Sequence, residues 1–229
     1  MLVLIASLGR SPGVITGTVD ALIEEGKKPG RVYIATTSDE LIWGECIPLL
    51  EREFWARYPD IELDTRQIRI GKDDIYDEQD NAEFMRRVAA VVGRERFWGN
   101  DVYLSLAGGR ETMSAVMALI GQLYGAKAIL HLLVDPELEK DGVITRLLKL
   151  PEDRRELVLH PPADKRRLIE FPVFAIPWKI NHVVEALKQG GSPDPHLNEI
   201  VKDTTPQTRR WLQKVLEEAE KVIKRHSEH

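Results

Sequence analysis

The stretch DVYLSLAGGRETMSAVMALIGQLYG, residues 101–125, decides the fold. Its first half is a short continuous apolar run, as a strand buried on both faces requires. Its second half repeats apolar residues at helical spacing. Between them stand Gly108, Gly109 and Arg110, so a buried strand ends in a tight turn that opens directly into a helix. Glycine lets the backbone approach a ligand closely, and a helix start aims N–H groups and the positive end of its dipole at the same point. An arginine on that turn suits the place to an anion.

The same unit recurs on either side. LVLIA (2–6) runs into SLGRSPG, and then Val14, Ile15, Leu22 and Ile23 follow at roughly helical spacing up to Gly26. Ser11 and Pro12 mark the helix start, because the hydroxyl can cap free amides while proline, lacking an N–H, loses nothing in a first turn. RVYIAT (31–36) precedes a helix from about Thr37 to about Tyr58, with Thr37 and Glu40 spaced as a capping box. TRQIRI (65–70) leads through an acidic loop (71–80) to a helix from about Asn81 to Val92, capped by Asp80. The helix after Arg110 gives way to a fifth strand over 127–135. Strands alternating with such helices imply parallel pairing through right-handed crossovers. The expected class is α/β: a Rossmann-like, doubly wound, mainly parallel sheet.

After Asp135 the pattern changes. VITRLLKL and RELVLH, separated by PEDR, read as a β-hairpin near 143–160. LIEFPVFAIPW carries two prolines, which confine it to an edge strand or an extended tie. The expected organisation is a domain over 1–180 that includes the hairpin, followed by a helical extension over 181–229 with a terminal amphipathic helix at 205–226.

The chain has 229 residues, 43% of them apolar, enough for a proper core. A net charge of -5 with both signs interspersed argues against coating a long nucleic acid, so any basic site must be local. A lone cysteine, Cys46, forms no intrachain disulfide, and the six histidines show no metal-ligand spacing. No metal and no cofactor are expected. The apolar opening MLVLIA is too short for a signal-peptide core, and no run approaches membrane-spanning length. The expectation is a cytoplasmic protein without a membrane partner.

In an open parallel sheet the ligand crevice lies where the winding reverses, beyond the carboxyl ends of the strands. For strand order 3-2-1-4-5 that point falls between strands 1 and 4. The flanking turns are SLGRSPG, with Gly9 and Arg10, and SLAGGRETM, with Gly108, Gly109 and Arg110. Together they read as a phosphate site. Neither matches the dinucleotide fingerprint or the P-loop spacing.

At these residues the chain resembles the CRISPR-associated Rossmann fold (CARF) proteins, particularly the stand-alone ring nucleases. The likeness rests on SLGRSPGVITGTVDAL, the TT turn at Thr36 and Thr37, the DDI loop at Asp73 and Asp74, and SLAGGRETMSAVM, which includes Thr112. It covers about residues 1–135. Glu111 stands where family members more often carry lysine. The resemblance implies a homodimer that binds cyclic oligoadenylate, most of all cyclic tetra-adenylate, across its two-fold axis. It also implies cleavage to linear products without a metal. Ser11 would orient the ribose or scissile phosphate, a role compatible with capping the helix, and Lys179 matches the family's catalytic lysine by position. Thr36, Thr37 and Ser38 would face adenine or ribose, and Trp178 would either stack on adenine or pack.

Three rivals remain. A CARF effector would carry a helical ribonuclease with an R-x4–6-H motif; Arg155 to His160 has that spacing but sits in strand-like alternation. A transcription factor would need a basic reading helix, and glutamates interleave the terminal one. An ordinary nucleotide-dependent enzyme can share the architecture.

Overall fold

The computed structural model describes residues 1–173. Six strands form one sheet in the order β3-β2-β1-β4-β5-β6: β1 is Leu2–Ser7, β2 Arg31–Thr36, β3 Glu62–Arg69, β4 Asp101–Ser105, β5 Ala128–Val134 and β6 Arg166–Phe171. The first five are parallel and β6 runs antiparallel to β5. The winding therefore reverses between β1 and β4, as the sequence implies.

Alternation along β1 divides the core into two layers. Leu4, Ala6 and Leu8 pack with α1 (Gly13–Glu24), α2 (Ile47–Arg57) and the short helices after β5. Val3 and Ile5 face α3 (Glu78–Phe97) and α4 (Glu111–Tyr124). With helices on both faces, the sheet's interior strands bury every residue from Val3 to Ser7. Among the described residues, no helix is long and apolar enough to cross a membrane.

Four local expectations are corrected. Ser11 does not cap α1: the residue before the helix is Pro12, and no side-chain cap bond forms there. Thr37 and Glu40 do not form a capping box. Asp39 does the work instead, its Oδ1 accepting from the amides of Leu41 and Ile42 at 3.0 and 3.1 Å, ahead of a π-type turn over Ile42–Cys46. Helix α3 starts three residues early because Asp77 is its cap, accepting from the amide of Asp80 at 2.9 Å, and it runs five residues past Val92 to Phe97.

The largest correction concerns 143–160, which is not a hairpin. After α5 (Pro136–Glu139), the segment forms α6 (Ile144–Leu147) and α7 (Glu152–Leu159). Its apolar residues satisfy both periods over so short a run. Buried Ile144 and Leu147 lie three apart on one face of a helical turn. Pro151 with Glu152 and Asp153 then makes a favourable helix start, since carboxylates suit the positive dipole end. The Thr16 hydroxyl on α1 donates to the carbonyl of Leu159, fastening α7 to α1. Strand β6 at the sheet edge agrees with the proline-limited reading of 168–178 over its first residues, 168–171; residues 174–178 lie outside the described residues. The expected helical extension, Trp178 and Lys179 lie outside the described residues.

Candidate functional site

The ends of β1 and β4 bring the two glycine turns into contact. A Cβ added to Gly9 would stand 3.0 Å from the amide nitrogen of Gly109, and one added to Gly108 would stand 2.2 Å from the carbonyl oxygen of Ser7. Gly109 itself has φ +83°, a region that favours glycine. Glycines are thus required here by backbone meeting backbone. Below the turns, the Ser7 hydroxyl donates to the Ser105 carbonyl at 3.2 Å, tying the two strand ends together.

Over this junction lies a hollow of about 240 Å³ lined by Gly9, Arg10, Thr37, Gly109 and Arg110, with Leu8, Ile42 and Met113 as its apolar floor and Asp39, Asp73 and Asp74 as its acidic wall. A wider groove of about 610 Å³ adjoins it through Arg10, Asp39 and Asp73 and adds Lys72. The first turn of α4, whose amides lack intrahelical acceptors, begins at the same rim.

Both arginines are already engaged. Arg10 donates to Asp39 Oδ2 through Nε at 3.2 Å and Nη2 at 2.6 Å. Arg110 grips Asp74 in the same forked way, through Nε at 3.1 Å to Oδ1 and through Nη2 to Oδ2. Burial pushes the Asp39 carboxyl up, but the hydrogen bonds from Arg10 and from the Ile42 and Leu41 amides outweigh it and hold the group below its ordinary value. Carboxylates thus occupy the forks that a phosphate would take.

Other expected residues take different places. Thr36 is fully buried and donates to the Leu8 carbonyl at 2.9 Å, so its side chain braces the turn. Thr37 lines the hollow and accepts from Trp43 Nε1 through its carbonyl at 2.8 Å; Arg69 stacks on Trp43 at 3.9 Å and donates to Ser38 at 2.8 Å. Gly108 is buried beneath the turn, and Thr112 is exposed on α4. Ser11 is half-buried beside Gly142, whose loop is held over it by the Ile144 amide donating to the Arg10 carbonyl at 2.7 Å. It is not among the residues lining the hollow. Asp39 was missed from the sequence, although an aspartate just ahead of a helix is a cap signal.

The Arg155–His160 spacing does fall on a helix. His160, however, is buried with both ring nitrogens against carboxylates, at 2.8 Å from Asp20 and 3.2 Å from Glu53.

A family model described as CRISPR-associated protein NE0113 matches residues 11–206. The chain is 30% identical over 156 residues to the CRISPR system ring nuclease SSO2081 of Saccharolobus solfataricus, covering 66% of this chain and 83% of that protein. Among solved structures, Csm6 of Enterococcus italicus, bound to cyclic hexa-2'-fluoro-hexa-dAMP, aligns over 96% of this chain at 15% identity and a TM-score of 0.52. Can2 from Sulfobacillus thermosulfidooxidans, in complex with cyclic tetra-adenylate, aligns over 57% at 14% identity and a TM-score of 0.40. This chain spans 55% of the Csm6 chain and 32% of the Can2 chain, and the likeness to Csm6 is one of fold.

Proposed function

The chain belongs to the CRISPR-associated NE0113 family, and from that premise we propose that it is a ring nuclease, binding cyclic oligoadenylate and opening it to linear products. The observation that carries the reading is the meeting of Gly9 and Gly109 at the winding reversal, which sets two guanidinium groups and a helix start around one hollow. The 30%-identical relative, itself named a ring nuclease, supports the same chemistry.

A hollow of about 240 Å³ is smaller than the roughly 300–1,000 Å³ typical of small-molecule sites, so one chain would hold only part of a tetra-adenylate ring. A two-fold dimer would present the hollow twice to a ligand that shares the axis. Homodimerisation is accordingly part of the proposal.

The reaction needs no external nucleophile. A ribose 2′-OH attacks the adjacent phosphorus, the 5′-oxygen leaves and takes a proton, and a 2′,3′-cyclic phosphate ends the product. The protein's part is to hold the oxygen in line and to stabilise charge on the phosphoryl oxygens; a single well-placed donor contributes on the order of 100- to 1,000-fold. Arg110 and the Gly109 amide would be those donors and Arg10 and Thr37 would hold the ring; the family resemblance assigns the scissile linkage to Lys179 and to Ser11, which adjoins Arg10 but does not itself line the hollow. This cleavage is proposed to be metal-independent.

One observation favours a second reading, a sensor that binds the ring without cutting it. The described residues lining the hollow include neither lysine nor histidine to move a proton. Incubation of the protein with labelled cyclic tetra-adenylate in EDTA, with products resolved by mass, separates the two. Linear species ending in cyclic phosphate support the nuclease; tight binding with an intact ring refutes it.

A further inference from the structure

We propose that His160, Glu53 and Glu156 form a divalent-cation site of the zinc class that clasps α7 to α2, separate from the ring hollow. Asp20, the α1 residue that orients His160, lies seven residues into the helix from Gly13, roughly 10 Å along its axis at 1.5 Å per residue.

His160 closes α7 and its side chain is only 4% exposed. Nδ1 lies 2.8 Å from Asp20 Oδ2, and Nε2 lies 3.2 Å from Glu53 Oε2. Glu156, one turn earlier on α7, completes a trio in which one ligand atom from each residue lies within 4.8 Å of the others. The second oxygen of Asp20 accepts from the Tyr58 hydroxyl at 2.5 Å, and that hydroxyl is 3.3 Å from Nδ1.

A neutral imidazole has one donor nitrogen and one acceptor nitrogen. With the Nδ1 proton directed at Asp20, the Nε2 lone pair faces the Glu53 carboxylate, acceptor against acceptor. Something positive must stand between them, either a proton or a metal. The Asp20 contact, at 2.8 Å, has the length of a charge-assisted N–H···O bond, about 2.7–2.9 Å; the Glu53 contact, at 3.2 Å, is longer. Nitrogen and oxygen on a tetrahedral zinc, each at about 2.0–2.1 Å from it, stand about 3.3 Å apart, close to the spacing seen.

Charge points the same way. Three carboxylates (Asp20, Glu53 and Glu156) meet one guanidinium, Arg57, which pairs with Glu156. The nearby Arg166 is matched by Glu24 at 2.5 Å. Leaving His160 aside, the carboxylates exceed the guanidinium by two charges, which a divalent cation would cancel. Glu156 can serve Arg57 with one oxygen and the cation with the other. The Asp20–His160 contact is the carboxylate–histidine arrangement that fixes a ligand's tautomer. Glu156 lies in the last turn of α7 and His160 just past its end, a juxtaposition hidden while 155–160 is read as a strand.

The test uses the full chain, dialysed against chelator and then titrated with zinc chloride by calorimetry and thermal melting, with cobalt(II) as a spectroscopic stand-in. Expected are one zinc per chain, a raised Tm and a tetrahedral cobalt spectrum. Glu53→Gln and the exposed Glu156→Gln should each weaken zinc binding about tenfold or more. Asp74→Asn, in the ring hollow, should leave it unchanged. Absence of stoichiometric binding, unchanged affinity in Glu156→Gln, or a His160 ring still protonated at both nitrogens in ¹⁵N spectra of zinc-equilibrated protein would each overturn the proposal. Ring cleavage is a separate readout, so failure here leaves the nuclease reading standing.

Discussion

Asp74→Asn should tighten ring binding. In the free protein, Asp74 holds both Nε and Nη2 of Arg110, so an incoming phosphate must first displace a carboxylate from that fork. Arg110 is 67% exposed, and solvent screening limits such a pair to about 0.2–1 kcal/mol even in forked geometry. The upper end corresponds to about fivefold in Kd for each hollow engaged. Asparagine retains an oxygen for the Ile75 amide, which Asp74 Oδ1 now accepts at 2.8 Å, so the loop should keep its shape. Removing any negative charge from the hollow would help an anion, and Asp73→Asn controls for that. Asp73 lines the same hollow but accepts from the Tyr76 hydroxyl, at 3.1 Å, and from neither arginine. Calorimetric titration with cyclic tetra-adenylate should give Asp74→Asn the larger gain, and the gain should shrink at high salt. Equal gains in the two variants, or weaker binding in Asp74→Asn, would refute the reasoning.

Two further outcomes follow from the same geometry. Gly108→Ala should lower Tm and abolish ring binding together, because its Cβ would stand 2.2 Å from the Ser7 carbonyl oxygen; Gly44→Ala, where nothing lies within 4 Å, should alter neither, and circular-dichroism melts with binding assays check both. The Asp39 carboxyl titrates below its ordinary value of 3.8 in the folded state, so its ion pair contributes stability above that value and loses it as pH falls through the folded value. The stability gap between the native chain and Asp39→Asn should therefore be constant above about pH 5 and close on acidification, as urea melts across pH would show; a gap that widens toward low pH would contradict the assignment.

Architecture was legible where one period was sustained. The run from Asp101 to Tyr124 switches once, from a continuous apolar strand to a 3.6-residue repeat, and α4 begins and ends where that switch and Gly125 place it. Caps were less legible. Thr37 and Asp80 each have a nearby residue of equal chemical aptitude, Asp39 and Asp77, which the chain's path chose, while the cap position beside Ser11 went to Pro12, which makes no side-chain cap bond. The segment 143–160 failed for a different reason: four- and eight-residue helices are too short for periodicity to separate two from 3.6. What decided it was packing on α1, through contacts more than a hundred residues apart such as Thr16 to Leu159.

The candidate site shows the same division. The hollow's place, between the two glycine turns, followed from the sequence once the common strand order was taken as given. Its electrostatic sign did not. Arg10 and Arg110 suggest a cationic hollow, yet Asp39, Asp73 and Asp74 arrive from two other turns and outnumber them. A single free phosphate gains little from such a place, since freeing one guanidinium leaves the rest of the field acidic. On the ring-nuclease reading, a ligand with several linked phosphates gains more: once one linkage is seated, the next meets its fork at high effective concentration, and both carboxylates are displaced in one binding event. Paired arginines would therefore discriminate a ring from the far more abundant mononucleotides, which a bare cationic hollow could not do.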